Sequence, residues 1–221
     1  MAVIPMFPLG TVLLPGGVLP LHVFEPRYRQ LVIDCLAGDS GEPEFGVALI
    51  ERGSEVGGGD QRAAVGVVAR MVQVEPLPDG RYALVTVGTR RIRVNAWLPD
   101  DPYPLADVDE WRDLDPDAPG LPERVAAATD RLGEVLELAG RLADVPRELQ
   151  ISDDPLVASY HLAGLAPLGP ADRYRLLGAP GPSVRLALLT ELLRDAEAAM
   201  QFRLFGGRVG SGEEDGPPGW S

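Results

Sequence analysis

The chain contains no lysine, so every strongly basic side chain in its 221 residues is an arginine, of which there are 20. A nucleotide-binding P-loop needs the lysine of GxxxxGK[S/T] to reach the phosphates. Schiff-base and Ser-Lys catalysis both need a lysine amine. The composition therefore excludes these three kinds of chemistry for this sequence.

Cysteine and histidine are almost as scarce. The single cysteine, Cys35, cannot form an internal disulfide or a thiolate metal cluster. His22 lies in an apolar run and His161 in a helical pattern, and we interpret both as packed or surface residues. The sequence has no GxSxG motif and no metal-ligand spacing. It therefore predicts no catalytic residue, no cofactor and no metal.

Positive charge and long apolar runs are also limited. The formal net charge is −13, and residues 1–115 and 116–221 contribute −7 and −6, so neither half is basic. Nucleic-acid binding needs clustered positive charge and is disfavoured. No apolar run approaches the roughly 18 residues of a membrane span. A signal peptide has positive charge ahead of its apolar core, whereas the first arginine here is Arg27. We expect a cytoplasmic protein without a membrane partner.

The first 115 residues contain short apolar or alternating runs separated by turn residues, a pattern typical of β-strands. A helix with an apolar stripe is predicted from Pro26 onward, because proline suits the first helical turn. These features indicate a small mixed-sheet barrel with one early helix. The predicted strands are Thr11–Leu14, Val18–Phe24, Phe45–Ile50, Val65–Glu75, Arg81–Val87, Thr89–Trp97 and Tyr103–Trp111. Between them, Ser54–Gln61 with its three glycines is predicted to be a flexible loop.

Composition changes at Asp113–Pro122, a linker with three prolines, and the pattern beyond it is helical. Ser152 is a candidate N-cap for the second of these helices, and Ser183 for the last. The predicted helices are Glu123–Ala143, Pro155–Leu165, Ala171–Leu177 and Pro182–Leu204. The predicted domains are a β-rich barrel at 1–115, a helical bundle at 116–205 and a disordered acidic Gly/Pro tail at 206–221.

Four segments of the β-rich half and one of the helical half resemble a known family. They read "FPLGTVLLPGGVLPLHVFEPRYRQLV", "FGVALI", "VGVVARMVQVEPLPDGRYALVTVGTRRIRV", "YPLADVDEW" and "DPLVASYHLAGLAPLGPADRYRLLGA". In this order they resemble the N-terminal substrate-binding domain of Lon proteases over about residues 3–204. The resemblance implies an α+β fold: a PUA-like pseudo-barrel of about six strands followed by a C-terminal helical bundle.

The resemblance also implies a function. In Lon this domain precedes an ATPase and a Ser-Lys protease and helps to engage unfolded or tagged substrates. Because this chain ends at the bundle and has no lysine, we expect a stand-alone bacterial Lon-domain protein that is not an enzyme. The predicted function is peptide or protein recognition in the role of a quality-control adaptor, with unfolded or extended polypeptide or a partner protein as ligand. The oligomeric state stays open.

Two stretches are candidates for contact with a partner, and each has a structural interpretation beside it. Pro15 and Gly16 indicate a turn, and the alternative is an apolar lip formed by Leu13, Leu14, Val18 and Leu19. The Phe-Glu-Pro-Arg-Tyr segment indicates a strand-to-helix corner, in which Pro26 starts the helix and Phe24 and Tyr28 pack beneath. The alternative there is a polar anchor formed by Glu25 and Arg27 together with Tyr28.

Two other functions remain open. Arg90, Arg91 and Arg93 form a basic run that in a PUA-like fold would contact RNA phosphates, whereas the structural interpretation is a solvated strand face paired with acids. A small-molecule enzyme would have to use Glu25, Asp34 or His22, and no motif supports it. The acidic composition favours basic or neutral partners.

Overall fold

The computed structural model describes residues 2–38, 41–53, 61–140 and 151–206. The predicted glycine-rich loop, the end of the helix predicted to reach residue 143, and the predicted tail after residue 206 lie outside these ranges. The strands are β1 Ala2–Leu9, β2 Val18–Val23, β3 Glu44–Arg52, β4 Gln61–Pro76, β5 Tyr82–Leu98 and β6 Leu105–Glu110. The helices are α1 Pro26–Ala37, α2 Leu121–Ala139, α3 Pro155–Leu165, α4 Pro170–Leu177 and α5 Pro182–Gly206.

Five of the six strands in the described ranges close into a ring. β1 pairs with β3 and β6, β4 pairs with β3 and β5, and a β5–β6 pairing completes the circuit. β2 is added to the first part of β5, where Val18 lies opposite Val87 and Val23 opposite Tyr82. The predicted α+β class with an early helix is confirmed, and the barrel is a five-stranded ring with one appended strand.

The first strand differs from the prediction. Thr11–Leu14 is not a strand, and β1 instead occupies residues 2–9, a stretch whose Pro5 and Pro8 argue against a central strand. The first half of β1 pairs with β6 and the second half with β3, so each half has a partner on one side. Each proline can therefore turn its nitrogen, which carries no hydrogen, toward the unpaired side.

β5 is one long strand where the sequence predicted two. Gly88 does not break it, since the strand continues from Tyr82 to Leu98 with register shifts opposite β4 near this glycine. The strand is long enough to pair with β2 in its first half, with β6 in its second, and with β4 from Tyr82 to Arg93. This length is what brings the appended strand and the closed ring into one sheet.

Two buried clusters hold the chain together. The barrel interior is small and contains a residue from each ring strand: Met6, Ala48, Val68, Ile92, Ala106 and Val108. The larger cluster contains barrel residues such as Phe7 and Phe45 as well as helical residues such as Leu132 and Leu189. Because one core continues across the linker, the division at residue 115 into barrel and separate bundle stays a prediction.

A buried ionic cluster ties the linker to both parts. Arg91 of β5 and Arg185 of α5 are 3% and 0% exposed and both contact Asp113 in the segment between β6 and α2. Nη2 of Arg91 lies 3.1 Å from Oδ1 of Asp113, and Nη2 of Arg185 donates to the same oxygen. The hydroxyl of Tyr160 in α3 donates to Oδ2 of Asp113. We call Arg91, Asp113, Tyr160 and Arg185 the junction cluster.

The two arginines of the junction cluster have more donors than the one carboxylate can accept from. Backbone carbonyls at the end of α4 supply further acceptors. Nη1 of Arg91 donates to the carbonyls of Leu177 and Ala179 at 2.7 and 2.6 Å, and Nε of Arg185 donates to that of Leu176 at 3.2 Å. Carbonyls at a helix C-terminus carry the negative end of the helix dipole. Burial lowers the pKa of Arg91, while Tyr160 and Asp113 act in the opposite direction.

Candidate functional site

A groove of about 610 Å³ lies where the β1–β2 connection meets α3. One wall is the segment from Thr11 to Leu19, and the other wall is formed by α3 with the residues before it and Arg173 of α4. The lining residues outside that first segment are Ile151, Ser152, Tyr160, His161, Gly164, Leu165 and Arg173. Since its size falls in the range of small-ligand pockets, it can hold a few residues of another chain.

The turn at the top of the groove is fixed by hydrogen bonds with Gly88. The amide of Gly16 donates to the carbonyl of Gly88 at 2.8 Å, and the amide of Gly88 donates to the carbonyl of Gly17 at 2.9 Å. Gly16 has a φ of 77°, a backbone conformation that residues other than glycine rarely adopt. The predicted turn at Pro15 and Gly16 is therefore present in the structure.

The four predicted lip residues line the groove but differ in exposure. Leu13 and Leu14 are 5% and 4% exposed and form its floor within the large core cluster. The sequence predicted an exposed lip here, but Leu13 and Leu14 are buried because the β1–β2 connection folds back onto α3. Val18 is 65% exposed at the rim, and Leu19 is half-buried. Their role in partner binding stays a prediction.

α3 presents His161 and Gly164 to the groove. Nδ1 of His161 accepts a hydrogen bond from the Ser152 amide at 3.3 Å, so the neutral ring carries its hydrogen on Nε2. The ring packs against Gly16, where a Cβ atom would lie 2.7 Å from Nε2. The helix is capped by Asp154, which accepts from two backbone amides, and not by the predicted Ser152. No local pattern identifies His161 as a groove residue, because Gly16, which its ring contacts, lies far from it along the chain.

The corner after β2 is held by ion pairs. Nε of Arg27 donates to Oε2 of Glu25 at 3.1 Å, and Nη1 of Arg27 lies 3.8 Å from a carboxylate oxygen of Asp100. Arg62 shares Asp100 at 3.2 Å. Glu25 and Arg27 are thus bound into the barrel end, and neither lines the groove.

The aromatic residues of this corner behave differently from each other. Tyr28 is buried and stacks on Phe7 with ring centroids 4.0 Å apart. Phe24 is 54% exposed, so the expectation that it packs beneath the corner is wrong. The direction changes because β2 ends at Val23 and Pro26 starts α1 three residues later. The predicted partner contacts of Glu25, Arg27 and Tyr28 stay predictions.

The arginine run is a solvated face paired with acids only in part, since Arg93 is exposed but Arg91 is not. Arg91 is buried in the junction cluster, whereas Arg90 pairs with Glu44, a contact that raises the pKa of Arg90. The guanidinium carbon of Arg93 lies 4.4 Å from the ring centroid of Trp111. These contacts leave the three arginines with partners inside the protein, which is a poor arrangement for binding RNA phosphates.

Asp34 and His22, two of the residues that a small-molecule enzyme would have to use, lie in different places and do not form a common site. Asp34 accepts hydrogen bonds from Tyr103 at 2.8 Å and from Gln30 at 2.7 Å. His22 is exposed on β2 opposite Ala83. Neither residue lines the groove. In the described part of the chain, no three His, Cys, Asp or Glu side chains are grouped to hold a metal ion.

Cys35 is expected to be an unreactive thiol. Burial raises its pKa to about 12, with Asp34 and Glu44 acting in the same direction. Because the thiolate is the nucleophile, its alkylation by iodoacetamide at pH 8 should be about 10³-fold slower in the native protein than in urea. The urea-unfolded chain is the internal control. Equal rates in the two states would show that the thiol is ionised in the fold.

The fold is that of an α+β domain with a groove beside α3, and comparison with known proteins gives its family. The profile of the ATP-dependent protease La (Lon) substrate-binding domain matches residues 3–195. The chain therefore belongs to the Lon substrate-binding domain family. This confirms the resemblance derived from the sequence.

Two solved structures share the fold. A Lon N-terminal domain protein from Xanthomonas campestris is 31% identical with a TM-score of 0.64, covering 86% of this chain and 97% of that chain. The N-terminal domain of a Mycobacterium avium complex Lon protease is 23% identical with a TM-score of 0.62, covering 88% and 99%. The second likeness shows the fold alone.

Curated relatives are much longer proteins. The chain is 32% identical over 167 residues to the Lon protease of Anaeromyxobacter dehalogenans, which covers 74% of this chain and 19% of that protein. It is 31% identical over 137 residues to the Lon protease of Flavobacterium johnsoniae, covering 62% and 16%. The chain thus spans less than a fifth of these relatives. Among the described helices, none has the length and apolar character to cross a membrane.

Proposed function

We propose that the groove between the β1–β2 connection and α3 binds a short extended segment of another polypeptide, without catalysis. The observation that carries the proposal is an apolar floor of buried leucines beside an exposed rim residue, Val18, at the junction of barrel and helices. Grooves of this kind are common ligand sites. Membership of a substrate-binding family supports the same kind of ligand.

The proposed role in the cell is recognition of unfolded or extended protein, as by a quality-control adaptor in the cytoplasm. The groove is lined mainly by aliphatic side chains and glycine backbone, which suit leucine-rich or phenylalanine-rich segments exposed in unfolded proteins. Binding by apolar contact needs no lysine and no cofactor. The Arg90–Arg93 run adds no support for an RNA ligand, since its members contact protein groups.

Filling the groove should abolish peptide binding without harm to the fold. Gly164 lines the groove in α3, and a Cβ there would meet only Leu14 Cδ1, at 3.8 Å, an ordinary contact. Gly164→Leu should therefore project a side chain into the groove while improving helix propensity by about 0.8 kcal/mol. We expect at least about tenfold weaker binding of a fluorescein-labelled, leucine-rich extended peptide, measured by fluorescence anisotropy.

The matched control is Gly133→Leu in α2, since a Cβ at Gly133 would meet nothing within 4 Å and the residue does not line the groove. This variant should bind the peptide as the parent protein does, and both variants should be at least as thermally stable as the parent. Equal affinity of the Gly164→Leu variant and the parent would place peptide binding elsewhere. Copurifying nucleic acid that is lost in high salt would favour the RNA alternative.

A further inference from the structure

We propose that the groove recognises the C-terminus of a polypeptide, with an apolar last side chain on the leucine floor and its α-carboxylate on Arg173. This inference rests on the proposed function, because it names the chemistry of the same groove's ligand. Four observations carry it: the charge of the lining, the free hydrogen-bonding capacity of Arg173, the donor on His161 and the size of the groove.

The charge of the groove is opposite to that of the protein. The chain has 33 acidic residues and a net charge of −13, yet no Asp or Glu is among the described residues that line the groove. The lining includes one permanent cation, Arg173. A site that excludes carboxylates and keeps one arginine is complementary to a ligand with a single negative charge.

Arg173 has unused donor capacity. Its Nη2 donates to the carbonyl of Ala166 at 3.3 Å, and its Nε is buried with no hydrogen-bond partner among the described residues. The neighbouring acid, Asp172, pairs with Arg175 at 3.0 Å. Because Nε itself is buried, a ligand carboxylate in the groove would contact the outer nitrogens of this guanidinium and form a charge-assisted hydrogen bond there.

His161 adds a second donor on the same wall of the groove as Arg173. Because its Nδ1 accepts from the Ser152 amide, the neutral ring offers Nε2–H as a donor. The hydroxyl of Tyr160, which also lines the groove, is already engaged by Asp113 and Arg185. Arg173 and His161 thus provide the groove with two side-chain groups that can donate to a ligand.

The size of the groove favours a chain end over the middle of a chain. About 610 Å³ accommodates a drug-sized ligand, and thus only a few residues. A C-terminal leucine or phenylalanine carries an apolar side chain and a carboxylate within one residue. An internal acidic residue would need a second residue to supply the apolar group.

The test compares two peptides that end in Ala-Leu and differ only at the C-terminus, one as the free acid and the other as the amide. We expect the free acid to bind the parent protein about tenfold more tightly by fluorescence anisotropy, the effect of one charge-assisted contact. Arg173→Gln should reduce this ratio to about one, and Arg173→Lys, which keeps the charge, should retain a several-fold preference.

The matched control is Arg175→Gln, which removes an exposed arginine of the same helix and should leave the ratio unchanged. A third peptide with an internal aspartate and an amidated end separates the two sources of a carboxylate. If it binds as tightly as the free acid, C-terminal recognition is wrong. Equal binding of acid and amide, still blocked by Gly164→Leu, would overturn this inference and leave the proposed function standing. No binding of any peptide would overturn both.

Discussion

Replacing Asp113 by asparagine is expected to lower the free energy of unfolding by about 3–5 kcal/mol, the cost of breaking a buried ion pair from one side. The change removes the only side-chain carboxylate that the described structure places on Arg91 and Arg185. Both guanidinium groups are almost completely buried, so water cannot replace the lost charge. An asparagine oxygen still accepts a hydrogen bond but carries no net charge.

The size of the effect follows from what remains after the substitution. The carbonyls at the end of α4 were complementary to a cluster of two positive charges and one negative charge. With Asp113 neutralised they face two uncompensated cations, which also repel each other. The segment between β6 and α2 then loses its attachment to α3 and α5, so the loss affects the contact between barrel and helices and not one side chain alone.

Thermal and urea unfolding measure this loss. For a chain of this length about 1 kcal/mol corresponds to roughly 2–4 °C, so we expect the midpoint of Asp113→Asn to fall by about 10 °C. Asp117→Asn is the control, because Asp117 is an exposed acid of the same segment. A change below about 1 kcal/mol for Asp113→Asn would show that α4 alone compensates the arginines.

The outline of the fold follows from local patterns in the sequence. Prolines at helix starts mark α1 at Pro26 and α3 at Pro155, and alternation of apolar residues marks β2 and β5. β1 escaped prediction because its two prolines are tolerated only where each half of the strand has one neighbour, which is a property of the assembled sheet. A local pattern contains no information about that pairing.

The site was predicted only in part for a similar reason. The turn at Pro15 and Gly16 is a local feature, and the sequence predicted it. That Leu13 and Leu14 form a floor beneath α3, and that Arg91 is buried against Asp113, depends on contacts between distant parts of the chain. An arginine on a strand is usually exposed, and its partner 22 positions later carries no motif that would identify it.

Gly88→Ala should destabilise the protein by about 3 kcal/mol and weaken peptide binding at the same time, because one position supports both the sheet and the groove. An added Cβ at Gly88 would overlap the carbonyl oxygen of Leu14 and come within 3.2 Å of Leu13 Cγ. The overlap is with backbone, so the connection that forms the groove must move, and the hydrogen bonds between Gly88 and the turn at Gly16 must lengthen.

The control for that change is the same substitution at Gly133, where open space surrounds the Cβ position in the middle of α2. Gly133→Ala should raise the free energy of unfolding by about 0.8 kcal/mol, since alanine is the better helix former. Urea unfolding of the two variants, together with peptide anisotropy well below each unfolding midpoint, separates a loss of fold from a loss of groove. Opposite signs of the stability change at Gly88 and Gly133, with weaker binding at Gly88 alone, are the expected result. Parent-like binding by folded Gly88→Ala would mean that the β1–β2 connection does not shape the binding site. The peptide-binding site would then have to lie on another surface.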